Sequence, residues 1–181
     1  GLSYDSPSVS AARLGDDLFV INSFSKYFNM TGWRLGWLVM PPWAQRAVNI
    51  LQQNLFIAAA TPAQYAALAA LQPETLAILA QRRDVLKSRR NFLLPALRTL
   101  GFELPYTPAG AFYLYANCQH LTDDSHRFAY QILEEAGVAI TPGRDFDHHQ
   151  AATRIRIAYT QPHQRLEEAV ERLAQFIRTH T

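Results

Sequence analysis

Apolar positions come in short unbroken runs near the start of the chain and at helical spacing over most of the rest. Leu18, Phe19, Val20 and Ile21 form a continuous apolar run of the kind that makes a buried strand. Residues 34–40 (RLGWLVM) read as a second strand, stopped by Pro41 and Pro42. Residues 42–71 are helical in spacing, with Thr61 the expected N-cap of a second helix and Pro62 its first residue. Pro73 opens a long amphipathic stretch closed by Gly101, and Pro95 is expected to kink or divide it. Residues 101–118 alternate and end in aromatic β-formers, which predicts a strand or hairpin around Pro108 to Gly110. Next come a helix capped by Asp124 or Ser125 and ended by Gly137, a strand and turn (AITPGRDF), the alternating strand TRIRIAYT, and a closing amphipathic helix.

These elements divide unevenly. Residues 73–181 make a plausible α+β domain with helices on one side of a small sheet. Residues 1–72 offer only two strands, and an isolated pair is marginal in water. They are expected to be the end of a larger sheet domain whose other strands this sequence does not contain. The opening GLSYDSPSVS has no initiator methionine or signal-peptide pattern and reads as the interior of a longer chain. The expected class is α/β.

Composition narrows the function. With 49% hydrophobic residues among 181 the chain can build a core, which excludes a disordered segment. A net charge of +2 is too small for an electrostatic nucleic-acid footprint. The most basic run, QRRDVLKSRR, reads as a solvated helix face. The single cysteine, Cys118, excludes an internal disulfide, and no apolar run is long enough to span a membrane. No nucleic-acid or membrane partner is expected, and the expected location is the cytoplasm.

The chemistry gathers in NSFSKYFNMTGWRLGW, residues 22–37. Lys26 sits where a strand leaves its sheet, the usual address of ligand chemistry in open α/β folds, with Arg34 eight residues on between Gly32 and Gly36. Alone, the segment is equally readable as a surface lysine in a loop. It resembles the lysine segment of the class I and II aminotransferases, pyridoxal phosphate enzymes of fold type I. Four further stretches resemble that family in the same order. GLSYD resembles the stretch directly after the family's Asp-Glu-Ile-Tyr motif, TPAGAFYLY its Pro-x-Gly-x-Phe strand, TPGRDF its Pro-Gly turn, and RIRIAYT its C-terminal arginine strand.

The resemblance implies a fold type I transferase represented by its C-terminal half, residues 1–72 from the large domain and 73–181 forming the small one. It implies pyridoxal 5′-phosphate as cofactor, held as a Schiff base on Lys26, because only lysine carries a primary amine on a reach long enough. That amine must be held neutral to work, for which partial burial and a nearby cation serve; Arg34 is the candidate cation. Arg34 and the hydroxyl of Ser23 are the implied phosphate ligands, with Ser25 a further hydroxyl donor and Gly32 and Gly36 allowing the backbone close to the ligand. The α-carboxylate of amino acid and 2-oxo acid substrates calls for a bidentate arginine. Arg154 and Arg156 share one strand face, and the family pattern selects Arg156. Homodimerisation is expected. The family's ring-stacking aromatic, its asparagine and the aspartate that pairs with the pyridine nitrogen precede this sequence, so the 181 residues alone are expected to be inactive. Two rival functions stay open: a C–S β-lyase using the same groups, and a non-catalytic effector-binding domain of a transcription regulator. Asp145, Asp147, His148 and His149 invite a metal reading, but a loop of this composition is ordinarily solvated, and no metal is expected. The family usually carries glycine where Asp147 stands, which leaves the geometry of that turn open.

Overall fold

The computed structural model describes residues 2–180, which fall into two compact units divided after Arg82. The sequence expectation puts the domain boundary earlier, at residue 72; the division by contacts lies inside a helix.

In the first unit, β1 (Val20–Ser23) and β2 (Gly36–Val39) form an antiparallel hairpin that pairs Val20 with Val39 and Ser23 with Gly36. The first apolar run predicts a buried strand, yet β1 is mostly exposed, with Ile21 81% accessible. Burial of a strand depends on neighbours, and here the sheet has only two strands. Helices α1 (Gln45–Leu55) and α2 (Thr61–Ala70) come next. Thr61 is the first residue of α2 and not its cap; Ala60 takes that place, and its carbonyl accepts from the amides of Ala63 and Gln64. The core of this unit joins Phe24 and Met30 to Ala67 and Ala70 of α2. Small residues on α2 let the aromatic loop approach closely.

Helix α3 (Pro73–Thr99) spans the division between the units. Pro95 does not divide it. A proline inside a helix costs about 3 kcal/mol. Leu93, Leu94 and Leu97 around it are nearly fully buried, at roughly 1.5–3 kcal/mol each, so packing outweighs the lost hydrogen bond.

The second unit carries a three-stranded antiparallel sheet in the order β3 (Tyr113–Asn117), β5 (Arg154–Ala158), β4 (Thr141–Pro142). Helix α4 (Ser125–Gln131) continues into a π turn ended by Gly137, and α5 (His163–His180) closes the chain. Asp124 caps α4, its carboxylate accepting from the amides of His126 and Arg127 at 3.0 and 3.1 Å. Those bonds hold its pKa below the usual carboxylate range. One sheet face is buried through Leu114, Ala116, Ile155 and Ile157, and Phe102, Phe128, Leu166 and Phe176 complete the core.

The basic run on α3 is not simply a solvated face. Arg89 donates to the carbonyl of Thr160 at 2.8 Å, and Arg90 is buried and donates to the carbonyl of Pro108. Tyr159, fully buried, donates to the carbonyl of Ala111 at 3.1 Å. Arg90 and Tyr159 thus clamp the Pro108 to Phe112 turn that aims β3.

Candidate active site

The loop between β1 and β2 is built from inside outward. Phe24 and Met30 point into the core and are tied to each other and to Leu35 through backbone bonds, Phe24 N to Leu35 O at 3.1 Å and Met30 N to Phe24 O at 3.2 Å. Burying Phe24 leaves its neighbour Ser25 half-buried and Lys26 exposed. The partial burial expected of Lys26 is therefore not supplied by these residues. The amide of Asn29 closes the turn on the Lys26 carbonyl at 3.1 Å, and Asn29 has a left-handed backbone, φ 56°.

Ser23 and Ser25 lie together. Ser23 Oγ accepts from the Ser25 amide at 3.0 Å and donates to Ser25 Oγ at 2.8 Å. With its lone pair engaged by Ser23, the Ser25 hydroxyl has its own proton left to donate outward. Thr31 Oγ1 donates to the Ser25 carbonyl at 2.7 Å and fixes the far side of the loop.

Arg34 is not the first residue of a strand, as the sequence pattern has it. It ends a 3-10 turn, Thr31–Trp33, in the left-handed conformation, φ 51° and ψ 50°. For a non-glycine residue this costs of order 1–3 kcal/mol, a cost that local bonding must offset. Its Nη1 donates to the Thr31 carbonyl at 2.9 Å, and among the described residues it has no acidic partner. The close backbone approach falls at Gly36, where a Cβ would lie 2.5 Å from the Asn22 carbonyl oxygen, whereas Gly32 has open space around it. Gly36 therefore allows the close pairing of the hairpin strands.

Arg156 belongs to the second unit. On β5 the buried Ile155 and Ile157 alternate with half-buried Arg154 and Arg156. The two arginines share a face and differ in bonding. Arg154 is tied through two nitrogens to the Gln150 side-chain carbonyl. Arg156 has a long hydrogen bond, 3.4 Å to Thr141 Oγ1, and its guanidinium lies over the Phe146 ring at 4.3 Å and the Tyr113 ring at 5.6 Å. Those two rings went unread in the sequence, although Phe146 ends the TPGRDF segment and Tyr113 stands directly after Pro-x-Gly-x-Phe. Only the fold brings them to Arg156.

The Pro142 to Phe146 turn depends on Gly143, where a Cβ would meet the Ala151 and Arg154 carbonyl oxygens at 2.7 Å each. Asp147 fits without glycine's freedom, since it has no positive φ; its carboxylate accepts from the His149 amide at 2.8 Å, which lowers its pKa. No group of three His, Cys, Asp or Glu side chains able to hold a metal occurs among the described residues. Likewise no helix among them is long and apolar enough to cross a membrane.

The family model for aminotransferase class I and II matches residues 2–173. Valine–pyruvate aminotransferase of Mycobacterium tuberculosis is 38% identical over 98% of this chain, which covers 46% of that protein. The (5-formylfuran-3-yl)methyl phosphate transaminase of Methanocaldococcus jannaschii is 36% identical over 98% of the chain and 47% of its own length. The crystal structure of an aminotransferase from Mycobacterium tuberculosis superposes with a TM-score of 0.93 at 39% identity, over 98% of this chain and 46% of that one. The chain belongs to the class I and II aminotransferase family and spans about half the length of the relatives it matches. Its α/β fold is that of the C-terminal part of a fold type I enzyme. Enzymes of this family depend on pyridoxal phosphate. The donors of the first unit fit such a group: two adjoining hydroxyls and a guanidinium without an acid suit a phosphate dianion, and an exposed primary amine on the same loop suits an aldehyde.

Proposed function

We propose that the chain is the C-terminal half of a pyridoxal phosphate-dependent aminotransferase that moves an amino group between an amino acid and a 2-oxo acid. The observation that carries this reading is the loop of residues 23–34, which bears two coupled serine hydroxyls together with Lys26 and Arg34, neither of which has an acidic partner among the described residues. Ser23, Ser25 and Arg34 would hold the phosphate, and Lys26 would hold the aldehyde. When bound, the cofactor supplies a conjugated ring that takes up the electrons released at the substrate α-carbon. Lys26 Nζ would hold the proton taken from that carbon. Arg156 orients the substrate by a bidentate contact with its α-carboxylate. The whole protein acts as a homodimer in the cytoplasm; the apolar residues that the first unit leaves exposed support an association of this kind.

The test uses the whole protein. Incubated with pyridoxal phosphate and then borohydride, it should carry the reduced cofactor on Lys26 and transfer nitrogen from an amino acid to a 2-oxo acid. Lys26→Ala should lose turnover below detection while some cofactor still binds noncovalently. Label on Lys87, the one other lysine of this sequence, overturns the assignment. Pyruvate and ammonia as products, with no amino transfer, overturn the transaminase reading in favour of elimination.

A further inference from the structure

Arg156 is held in an unusual way for an arginine on a strand. Among the described residues it has no acidic partner, and its hydrogen bond to Thr141 is long. What lies against it are two ring faces, Phe146 at 4.3 Å and Tyr113 at 5.6 Å. An aromatic face attracts a guanidinium through its quadrupole and accepts no conventional hydrogen bond. A carboxylate in the same place would hold the arginine more firmly but would occupy the N–H fork that a substrate carboxylate needs. Rings fix the plane of the cation and leave its donors free.

Phe146 is built for that place and not for the core. It is 48% exposed, which is high for phenylalanine. It stands just beyond the turn that Gly143 makes possible, and its amide donates to the Gly143 carbonyl at 2.8 Å. Tyr115, directly across the sheet from Arg156, packs its ring at 89° to Phe146 with centroids 6.2 Å apart. Backbone and neighbouring ring therefore both set the orientation of Phe146 over the guanidinium.

We propose that Phe146, assisted by Tyr113, is a positioning residue for the substrate carboxylate: it holds Arg156 by the face so that the guanidinium edge stays open to a bidentate anion. This rests on the proposed role of Arg156. In the whole enzyme, Phe146→Leu should raise KM for both amino acid and 2-oxo acid about tenfold while kcat at saturation stays within about twofold. Phe146→Tyr should restore KM, because it restores a ring face, and Tyr113→Leu should show a smaller rise. Amines without a carboxylate should be indifferent to all three changes. In the 181-residue chain, the δ-methylene protons of Arg156 should show an upfield ring-current shift by NMR that Phe146→Leu removes and Phe146→Tyr keeps. If Arg156→Ala is costly but Phe146→Leu changes neither KM nor the ring-current shift, the positioning role is wrong while the carboxylate reading stands. An equal loss with amines and amino acids would mean that Phe146 serves the fold alone, and this too overturns the proposal. If Arg156→Ala itself leaves KM unchanged, both readings fall together.

Discussion

The two units cover their own apolar surface to different degrees, and each carries a different half of the proposed chemistry. In residues 83–181, Leu97, Leu114, Ile132 and Ile155 are fully buried, and one sheet face packs entirely within the unit. In residues 2–82, Ile21, Trp43, Leu55 and Phe56 are each more than 60% exposed, and α1 buries none of its residues. The same alternating and helical patterns thus yield a closed core in one place and an open surface in the other. Pattern decides which residues could be buried; neighbours decide which are. The loop that bears Lys26 stands on the open hairpin, so its surroundings need cover that these residues do not provide. The strand that bears Arg156 has its register fixed by two partners inside its own unit.

That contrast is sharpened most by Arg156, whose strand is paired on both sides within the second unit. If Arg156 clamps the substrate α-carboxylate as proposed, Arg156→Ala in the whole enzyme removes one partner of a charge-assisted bidentate contact. The cost is about 2–5 kcal/mol, or roughly 30- to several-thousand-fold in kcat/KM for an amino acid. Arg156→Lys should recover only part, since an ammonium cannot reproduce the planar fork. Arg154→Ala should be mild in comparison, because that guanidinium is already committed to Gln150. Steady-state kinetics on the three variants decide the matter. A severe Arg154→Ala beside a neutral Arg156→Ala would mean that the carboxylate arginine has been placed one side-chain repeat off.

Much of this arrangement is legible in the sequence because it rests on local rules. Alternation places Arg154 and Arg156 on one face, Gly137 ends the α4 turn, and the spacing from Lys26 to Arg34 marks the loop. What is not legible depends on residues distant in the chain. The apolar run at β1 reads as buried because periodicity carries no information on whether a neighbouring strand exists. Pro95 reads as a kink or a division because the local cost is visible, whereas the burial of Leu93, Leu94 and Leu97 that keeps the helix in one piece is not. Arg90 reads as solvated because its acceptor, the Pro108 carbonyl, is brought to it only by the fold. Phe146 is not legible for the same reason: its partner, Arg156, lies on β5 and meets it only through the fold.

Stability measurements test the structural side of the comparison. Leu97 has no exposed surface, and Leu97→Ala should cost about 2–5 kcal/mol through lost transfer and the cavity left behind. Ile21 is 81% exposed, and Ile21→Ala should stay within about 0.5 kcal/mol. Denaturant titration of the 181-residue chain, read by amide exchange at residues 114–117 and 155–157 and at residues 20–23, separates the two. If Ile21→Ala proves as costly as Leu97→Ala, the hairpin is covered in solution. The comparison then breaks on the side of the first unit.

The last expected effect concerns pH and falls on the second unit alone. Cys118 is fully buried, its thiol donating to the Thr153 carbonyl at 3.2 Å, and burial pushes its pKa up to about 11. An unfolded thiol titrates near 8.5. Between about pH 8.5 and 11 the unfolded chain therefore loses a proton that the folded chain keeps, and this difference favours unfolding as pH rises. The neutral buried thiol contributes its full stability below the unfolded pKa and loses it progressively through that window, by an amount on the order of 3 kcal/mol. Tyrosines and lysines titrate in the same range, so the useful quantity is the difference between the parent chain and Cys118→Ala. Cys118→Ala should be less stable at pH 7, because a small cavity and a lost contact replace the thiol, yet its stability should fall less steeply toward pH 11. The two curves should converge as pH rises. Parallel curves would mean that the thiolate is tolerated where the thiol now sits, through water entry or local opening beside Thr153. The core of the second unit would then be less closed than its packing indicates.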